Sequence, residues 1–266
     1  MNSQQLYDYL LHLADNTLVL CQRNSEWCGH GPILEQDIAI TNISLDLIGQ
    51  SRSWFQYAAE IYNNENAGSS SFTPATEDSL AYLRDVRDFK NCLLTEQPNG
   101  DWGQTILRQF FFSTYQLLLF EKLQQSADKQ VAAIAEKSLK EVIYHVRWSG
   151  EWVIRLGDGT AESRERMLNA FEALWPFTGE LFIAAGYEAA LVQQGIATDV
   201  KALQALWQQK VLEVFEEATL GDALREKKAK TAWTQTGGKT GVHTEQLGYI
   251  LAEMQFLQRT YPNSEW

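Results

Sequence analysis

Apolar residues recur every three or four positions along most of this chain, and this periodicity restricts the fold more than any other feature. The two stripes nearest the N-terminus are Leu6, Leu10, Leu13, Thr17 and Leu20, and Ile40, Ile43, Leu47, Gln50, Trp54, Tyr57 and Ile61. Such spacing places the residues on one face of an α-helix. Only five of the 266 residues are proline, so little interrupts long helices.

Further stripes with the same spacing predict helices over residues 74–94, 106–123, 134–156, 162–185, 200–220 and 247–257. Segments 63–71 and 222–236 are predicted to be loops, and residues 98–100 a turn. No segment alternates between apolar and polar residues as a half-buried strand does. The sequence therefore predicts an all-α protein, an antiparallel bundle of about seven helices that residues 1–266 form as a single domain.

The charge and the ends of the chain exclude several classes of protein. The formal net charge of −12 repels phosphate backbones, so we expect no binding to nucleic acid. No apolar run approaches the ~18 residues of a membrane span, and the N-terminus lacks the basic segment of a signal peptide. Cys21, Cys28 and Cys92 lack the two-residue spacers of zinc or redox motifs, and Cys21 and Cys28 read as small core residues. We expect a cytoplasmic protein with reduced thiols.

The four histidines test whether such a bundle can hold a di-iron centre. These centres need two Glu-x-x-His pairs, because residues i and i+3 project from one helical face, and two further carboxylates. The residues three positions before His12, His30, His145 and His243 are Tyr9, Trp27, Val142 and Thr240. The sequence therefore predicts no standard di-iron site, and we interpret His145 as a buried core histidine.

One region near the C-terminus reverses the acidic character of the chain. Its basic residues are Lys227, Lys228, Lys230 and Lys239. Lys239 lies in the glycine-bearing segment 236–241, which is not a P-loop because Trp233 occupies the position of the first glycine. We interpret the segment as a solvated loop. As a second interpretation, the four lysines contact coenzyme phosphates or an acidic partner.

Several blocks of the sequence are long enough to be specific. They are Gln22-Arg23, Glu26-Trp27-Cys28-Gly29-His30, Leu45-Asp46-Leu47-Ile48-Gly49-Gln50-Ser51-Arg52, Glu96-Gln97-Pro98-Asn99-Gly100, residues 237–248 and residues 251–255. These blocks resemble the C subunits of the phenylacetyl-CoA epoxidase family, which are components of multicomponent monooxygenases. The resemblance covers essentially the whole chain and implies a ferritin-like fold and a place in aerobic phenylacetate breakdown.

The resemblance also implies that the metal belongs to a different chain, the related A-type subunit. The first ligand pair of that subunit lies in an Asp-Glu-x-Gly-His context, where this chain has Leu47 and Gln50 in place of the ligands. Its second pair lies in a Lys-Glu-Glu-x-x-His context, where Val142 replaces the glutamate and His145 is kept. These four are thus degenerate ligand positions, and no metal is expected here.

The implied role is that of a non-catalytic structural subunit that supports the di-iron A-type subunit. The complex would insert one oxygen atom of O₂ into the ring of phenylacetyl-CoA and give a 1,2-epoxide. Electrons would come from NADPH through a separate reductase that carries flavin and an iron–sulfur centre. The chain would contact phenylacetyl-CoA only indirectly, and the sequence leaves homo-oligomerisation of the isolated chain open.

Two functions of other classes stay open. One is a metal-dependent oxidase with atypical ligands drawn from Asp46, Glu141, His145 and Glu180. The other is a coenzyme-A-binding module that acts through the four lysines of the basic region. Metal analysis distinguishes the first from a structural subunit, and titration with coenzyme A tests the second.

Overall fold

All regular structure in the described part of the chain is helical. The structure, a computed structural model, describes residues 3–68, 72–230, 233–262 and 264, with the side chains of 227–230 left out. No strand is present among these residues. The predicted all-α class is confirmed.

Twelve α-helices occur in the described residues, which is more than the seven or so that were predicted. They are α1 (Ser3–Ser25), α2 (Leu34–Asn66), α3 (Glu77–Tyr82), α4 (Leu93–Glu96), α5 (Trp102–Leu123), α6 (Lys129–Gly157), α7 (Ala161–Leu174), α8 (Gly186–Gln193), α9 (Val200–Glu217), α10 (Gly221–Lys230), α11 (Glu245–Met254) and α12 (Phe256–Thr260). Short 3₁₀ helices cover Val86–Asp88, Trp175–Phe177, Gly179–Phe182 and Gly238–Thr240. The additional helices are short, and they lie where a long predicted helix is interrupted or where a loop was expected.

Polar side chains set the start of most of the long helices. In helices of ten residues or more, the N-cap residues whose side chains accept a backbone N–H of the first turn include Asp101 (α5), Asp128 (α6), Thr160 (α7), Asp199 (α9) and Thr244 (α11). Each satisfies a donor that the helix itself leaves without a partner. These boundaries are therefore determined locally by the sequence.

The chain divides into two compact units. Unit 1 consists of Met1–Glu96, Ala185–Gln194 and Gly237–Trp266, and unit 2 consists of Gln97–Ala184 and Gly195–Thr236. Each unit is assembled from segments that are distant in sequence. The single domain over residues 1–266 stays a prediction.

The core of unit 1 is built on α1 and α2, which are joined by a short loop and pack along each other. The hydroxyl of Ser51 on α2 donates to the carbonyl of Ala14 on α1 at 3.1 Å. Leu10 and Ile43 are among the fully buried apolar residues of this pair. The helices α4, α8 and α11 pack against α1.

The core of unit 2 surrounds α5, which packs against α6, α7 and α9. Aromatic rings fill much of it: the ring of Phe111 lies 5.4 Å from that of Trp207 and 6.1 Å from that of Phe215. The Trp207 indole N–H donates to the Phe111 carbonyl at 2.9 Å, so its polar edge is satisfied inside the core. These aromatic residues therefore lie in the core of unit 2.

The predicted helix over residues 74–94 is wrong in its centre, because the chain leaves the helix between α3 and α4. The cause is Asp15, whose carboxylate is fully buried on α1. It accepts hydrogen bonds from Arg84 Nη1 at 3.0 Å and from the backbone N–H of Lys90 at 2.8 Å. A buried carboxylate needs such partners, and a continuous helix would hold the N–H of Lys90 in its own ladder.

The predicted helix over residues 162–185 is too long. It ends as α7 at Leu174 and continues only as 3₁₀ turns, after which α8 begins at Gly186. Pro176 lies two residues after the end of α7, and proline has no backbone N–H to donate to a helical hydrogen bond. This signal was present in the sequence.

Three other boundaries differ from the prediction. α2 extends to Asn66 into the predicted loop, and α10 occupies much of segment 222–236; residues 69–71 and 231–232 lie outside the described part. The C-terminal helix is divided at Gln255, whose side-chain amide donates to the Ala81 and Arg84 carbonyls at 3.1 and 3.0 Å. A tertiary contact again sets the boundary.

The cysteines follow the prediction with one exception. Cys21 and Cys92 are buried and form no disulfide, but Cys28 is exposed in the loop after α1, so its assignment to the core is wrong. No helix in the described residues is long and apolar enough to cross a membrane.

Candidate functional site

The first two degenerate ligand positions, Leu47 and Gln50, lie one turn apart on α2. Both side chains are buried in unit 1, so the i and i+3 spacing directs them to one interior face. Leu47 has no donor atom. This helix therefore cannot supply the carboxylate and imidazole of a Glu-x-x-His pair.

The other two positions, Val142 and His145, lie one turn apart on α6. Both are fully buried in unit 2. In the next turn, the Ser149 hydroxyl donates to the His145 carbonyl at 2.6 Å. His145 lies in the core, as the sequence indicated, and the residue that shares its face presents only methyl groups.

The donors considered for an atypical metal site form no metal-binding group in the described part of the chain. No three His, Cys, Asp or Glu side chains are placed there to hold a metal ion. Asp46 on α2 and Glu141 on α6 are partly exposed, whereas Glu180 is buried in the 3₁₀ helix Gly179–Phe182. The donor set therefore does not fit a di-iron centre.

The most elaborate polar arrangement lies in unit 1, around the segment 237–244. The ammonium of Lys239 is buried and contacts both carboxylate oxygens of Glu188 on α8, at 3.2 and 2.9 Å. Glu188 also accepts the backbone N–H of Ala185 at 2.8 Å. The Tyr187 hydroxyl donates to the Lys239 carbonyl at 3.1 Å. Both charges are thus paired and hydrogen-bonded, as buried charges require.

His12 on α1 lies beside the Lys239–Glu188 pair, but its imidazole carries no charge there at neutral pH. Its Nε2 atom is 3.9 Å from Glu188, while its Nδ1 atom lies 2.7 Å from the Lys90 carbonyl and donates to it. Burial lowers the pKa of His12 to about 4, against the opposing effect of Glu188. The imidazole is therefore neutral at neutral pH. Burial and the Glu188 charge also raise the pKa of Tyr9 well above its usual value.

A second buried carboxylate, Glu96 at the end of α4, holds the other end of the same segment. It accepts from His243 Nδ1 at 2.9 Å, from the backbone N–H of Thr244 at 2.7 Å and from the Asn91 amide at 3.0 Å. Burial lowers the pKa of His243, but the hydrogen bond and charge of Glu96 outweigh it, so the pKa is raised overall. His243 Nε2 also donates to the Phe89 carbonyl at 2.9 Å.

The glycines of segment 237–244 allow its close approach to the rest of unit 1. A Cβ atom on Gly238 would lie 2.2 Å from the Asn91 carbonyl oxygen, and one on Gly241 would lie 2.3 Å from that of Arg87. Gly241 also has φ +82°, which disfavours other residues. The segment is anchored to unit 1 at these positions, and its interpretation as a solvated loop is wrong at Gly238 and Lys239, which are buried.

The four lysines proposed for phosphate contact are in different situations. Lys239 is buried and paired with Glu188, so its ammonium does not face solvent. Lys227, Lys228 and Lys230 belong to α10, but their side chains lie outside the described residues. A phosphate contact therefore stays a prediction for these three alone.

Reasoning from the sequence missed the residues that hold this network together, chiefly Glu96, Glu188 and His243. All three lie outside the predicted apolar stripes, so the periodicity gave no signal for them. Neither carboxylate is near its partner in sequence: 51 residues separate Glu188 from Lys239, and 147 separate Glu96 from His243. Only the tertiary fold brings them together.

The fold and these sites together define an all-α protein with paired charges in the core of unit 1. Leu47, Gln50 and Val142 occupy three of its four implied metal positions. The chain belongs to the family described as phenylacetic acid catabolic protein, which matches residues 1–266. It is 48% identical over 262 residues to the C subunit of 1,2-phenylacetyl-CoA epoxidase from Escherichia coli (strain K12), covering 98% of this chain and 99% of that protein. The family assignment supports the ferritin-like form of the bundle.

Proposed function

We propose that this chain is the non-catalytic structural subunit of a phenylacetyl-CoA 1,2-epoxidase complex in phenylacetate breakdown. The observation that carries the proposal is the match to the C subunit of an epoxidase, at 48% identity across 98% of the chain. An end-to-end match includes the core as well as the surface, and a shared surface is what assembly with the same kind of partners requires.

The residues at the degenerate ligand positions support the non-catalytic part of the proposal. A di-iron centre needs about four carboxylates and two imidazoles. Leu47 and Val142 fill buried volume with apolar atoms, which avoids leaving unpaired carboxylates in the core. The chain retains the stability of a packed bundle without a metal.

In this proposal the partner is the related A-type subunit, which carries the di-iron centre and the chemistry. NADPH, flavin and an iron–sulfur centre belong to a separate reductase, and phenylacetyl-CoA is bound by the partner. This chain contributes a surface that holds the catalytic partner in its assembled form.

Co-expression with an A-type subunit tests the proposal. With a tag on the A-type subunit only, we expect the untagged chain to co-purify and co-elute in gel filtration. Elemental analysis of the separated chains is expected to find iron with the A-type subunit. Failure to co-purify would contradict membership of the complex, and about two irons per isolated chain would contradict the non-catalytic role and favour an oxidase.

A further inference from the structure

The turn that precedes α5 joins an asparagine directly to a glycine, Asn99 to Gly100. Asn99 is partly buried in unit 2, whereas Gly100 is exposed and has φ +57°, a conformation that favours glycine. The backbone N–H of Gly100 makes no hydrogen bond to any of the described residues. Because glycine has no Cβ atom, nothing on the residue itself shields this nitrogen. It can therefore lose its proton to solvent base and act as a nucleophile.

Donors on α5 hold the side-chain amide oxygen of Asn99. Arg108 Nη2 donates to Asn99 Oδ1 at 2.6 Å. The Thr105 hydroxyl lies 2.9 Å from the Asn99 backbone carbonyl oxygen and 3.4 Å from Oδ1. Both donor residues are fully buried. A guanidinium only donates hydrogen bonds, so the atom that Arg108 contacts is the amide oxygen and the orientation of the amide is fixed. Donors at this oxygen stabilise the negative charge that develops when a nucleophile attacks Cγ.

We propose that Asn99 is a self-modification site, at which the chain converts this asparagine into aspartate or isoaspartate. The Gly100 nitrogen forms a bond to Asn99 Cγ, and the charge that collects on Oδ1 is stabilised by Arg108 and Thr105. The Cγ–Nδ2 bond then breaks, and ammonia leaves with the proton that the Gly100 nitrogen gave up. Water opens the resulting succinimide by adding its hydroxyl to a ring carbonyl carbon and its other proton to the ring nitrogen. The net reaction consumes water, releases ammonia and transfers no electrons.

The two donors also select the product. Water that attacks Cγ of the succinimide gives aspartate, whereas water that attacks the backbone carbonyl carbon gives isoaspartate. Arg108 contacts the oxygen on Cγ, and the Thr105 hydroxyl is nearer to the backbone oxygen. A charged donor polarises a carbonyl more strongly than a neutral hydroxyl does. Aspartate is therefore the favoured product in the folded chain, and its carboxylate would lie against the guanidinium of Arg108.

Asn91 and Asn16 serve as internal comparisons, because the backbone nitrogen that follows each of them is engaged. Asn91 is fully buried, and the next backbone N–H, that of Cys92, donates to Asn16 Oδ1 at 2.8 Å. Asn16 lies inside α1, where the next backbone N–H belongs to the hydrogen bonds of the helix. Neither nitrogen is available to attack a side-chain amide. The structure thus selects Asn99, and asparagine as a residue type does not suffice.

The modification is followed by peptide mapping and mass spectrometry of the purified full chain, kept at neutral pH in water labelled with a heavy isotope of oxygen. We expect the label to enter the acid formed at position 99 and to be absent at Asn91 and Asn16. The same chain unfolded in guanidinium chloride gives the rate of the Asn-Gly pair without the fold. We expect the native rate to equal or exceed that rate, with a larger share of aspartate. A slower native rate, or equally fast conversion of Asn91 in the native chain, would overturn the proposal.

Variants on α5 test the two donors. Thr105→Val keeps the side-chain volume, removes the hydroxyl and should slow the native reaction about 10-fold. Arg108→Lys keeps the charge but loses the planar fork, and should slow it about 100-fold and reduce the share of aspartate. The matched control, Thr114→Val, removes a buried hydroxyl that donates to the Phe110 carbonyl at 2.8 Å, and should leave the rate unchanged.

Circular dichroism and urea unfolding establish that each variant is folded, and Thr105→Val carries the test if Arg108→Lys does not fold. An unchanged native rate in Thr105→Val would overturn the proposal. Equal slowing by Thr105→Val and Thr114→Val would overturn it as well, because the effect would then come from the loss of any buried hydroxyl on α5.

Discussion

Lys239 and Glu188 form a deeply buried ion pair in unit 1, with side chains 4% and 1% exposed. Removing one partner of such a pair leaves an uncompensated charge in the core. Lys239→Met is therefore expected to lower the free energy of unfolding by about 3–5 kcal/mol. Urea unfolding of the full chain measures the change.

Two further variants test whether the loss of stability in Lys239→Met comes from breaking the buried ion pair or from removing any positive charge. Arg166→Met removes a partner from the exposed pair with Glu162 and should cost less than about 1 kcal/mol. Glu188→Gln in the Lys239→Met background removes the stranded charge and should recover part of the loss. Equal losses for Lys239→Met and Arg166→Met would contradict the assignment of Lys239 to the core.

His12 is expected to make stability depend on pH. Its pKa is about 4 in the folded chain and 6.5 in the unfolded chain, so the unfolded chain binds the proton first as the pH falls. The stability from neutral His12 is complete above pH 6.5 and is lost between pH 6.5 and 4. The loss is on the order of 3 kcal/mol. His12→Asn, which keeps a donor for the Lys90 carbonyl, should flatten urea-derived stability across that range.

His243 is expected to change the pH dependence of stability in the opposite direction to His12. Its folded pKa is raised above the unfolded value, so the stability from protonated His243 is complete below the unfolded pKa. It is lost as the pH rises through the folded pKa. His243→Gln should therefore reduce the decline in stability on the alkaline side and leave the His12 effect unchanged. A decline that persists in the variant would exclude this origin.

At the scale of elements, the helices that start at a cap residue and carry a long apolar stripe were predictable. α5, α6 and α9 start at or near a cap and follow their stripes. The break between α3 and α4 was not predictable, because Asp15 causes it from a helix about 70 residues earlier. The spacing of apolar residues describes one helix at a time, so it cannot predict a contact with a residue that far away in the sequence.

Gly238 in segment 237–244 and Gly248 in α11 are expected to respond in opposite ways to substitution by alanine. Gly238→Ala would drive a Cβ atom to 2.2 Å from the Asn91 carbonyl oxygen, so the backbone must shift and break its anchors. We expect a loss on the order of 2 kcal/mol or more. Gly248→Ala in α11 meets nothing within 4 Å and should stabilise the chain by about 0.5–1 kcal/mol. Thermal and urea unfolding of the two variants give opposite signs if the segment is anchored.

The basic end of α10 carries the remaining phosphate prediction. If Lys227, Lys228 and Lys230 attract coenzyme phosphates or an acidic partner, changing all three to Glu should weaken coenzyme A binding or assembly. The effect should decrease with salt, because exposed charges are screened within about 10 Å at 0.1 M. Calorimetric titration at two salt concentrations measures it, with Lys201, Lys210 and Lys129 changed to Glu as a control of equal charge. Equal effects of the two triple variants would indicate only a change in net charge.

At the scale of the whole molecule, restoring one ligand is not expected to restore metal binding. Val142→Glu would recreate a Glu-x-x-His pair with His145 on α6, but Leu47 and Gln50 still supply no second pair. The new carboxylate would be buried without a cation, which raises its pKa and costs about 1–3 kcal/mol or more. Elemental analysis after growth in ample iron should find no metal.

The control for this variant is Ile143→Glu, the next residue of the same helix, which is 54% exposed. It adds the same charge at the surface and should change the free energy of unfolding by no more than about 0.5 kcal/mol. Stoichiometric iron in the Val142→Glu protein would show that the remaining donors suffice. Equal stability of the two variants would contradict the buried position of Val142.

The sequence by itself determined the helical class, the capped starts of α5, α6, α7 and α9, and the absence of any Glu-x-x-His pair. Each depends on residues within about one or two turns of each other, where spacing fixes which side chains share a face. Tertiary structure alone decided that Lys239 is a buried partner of Glu188 and that Glu96 holds His243. These depend on burial and on partners 51 and 147 residues apart, and local spacing carries no information about either.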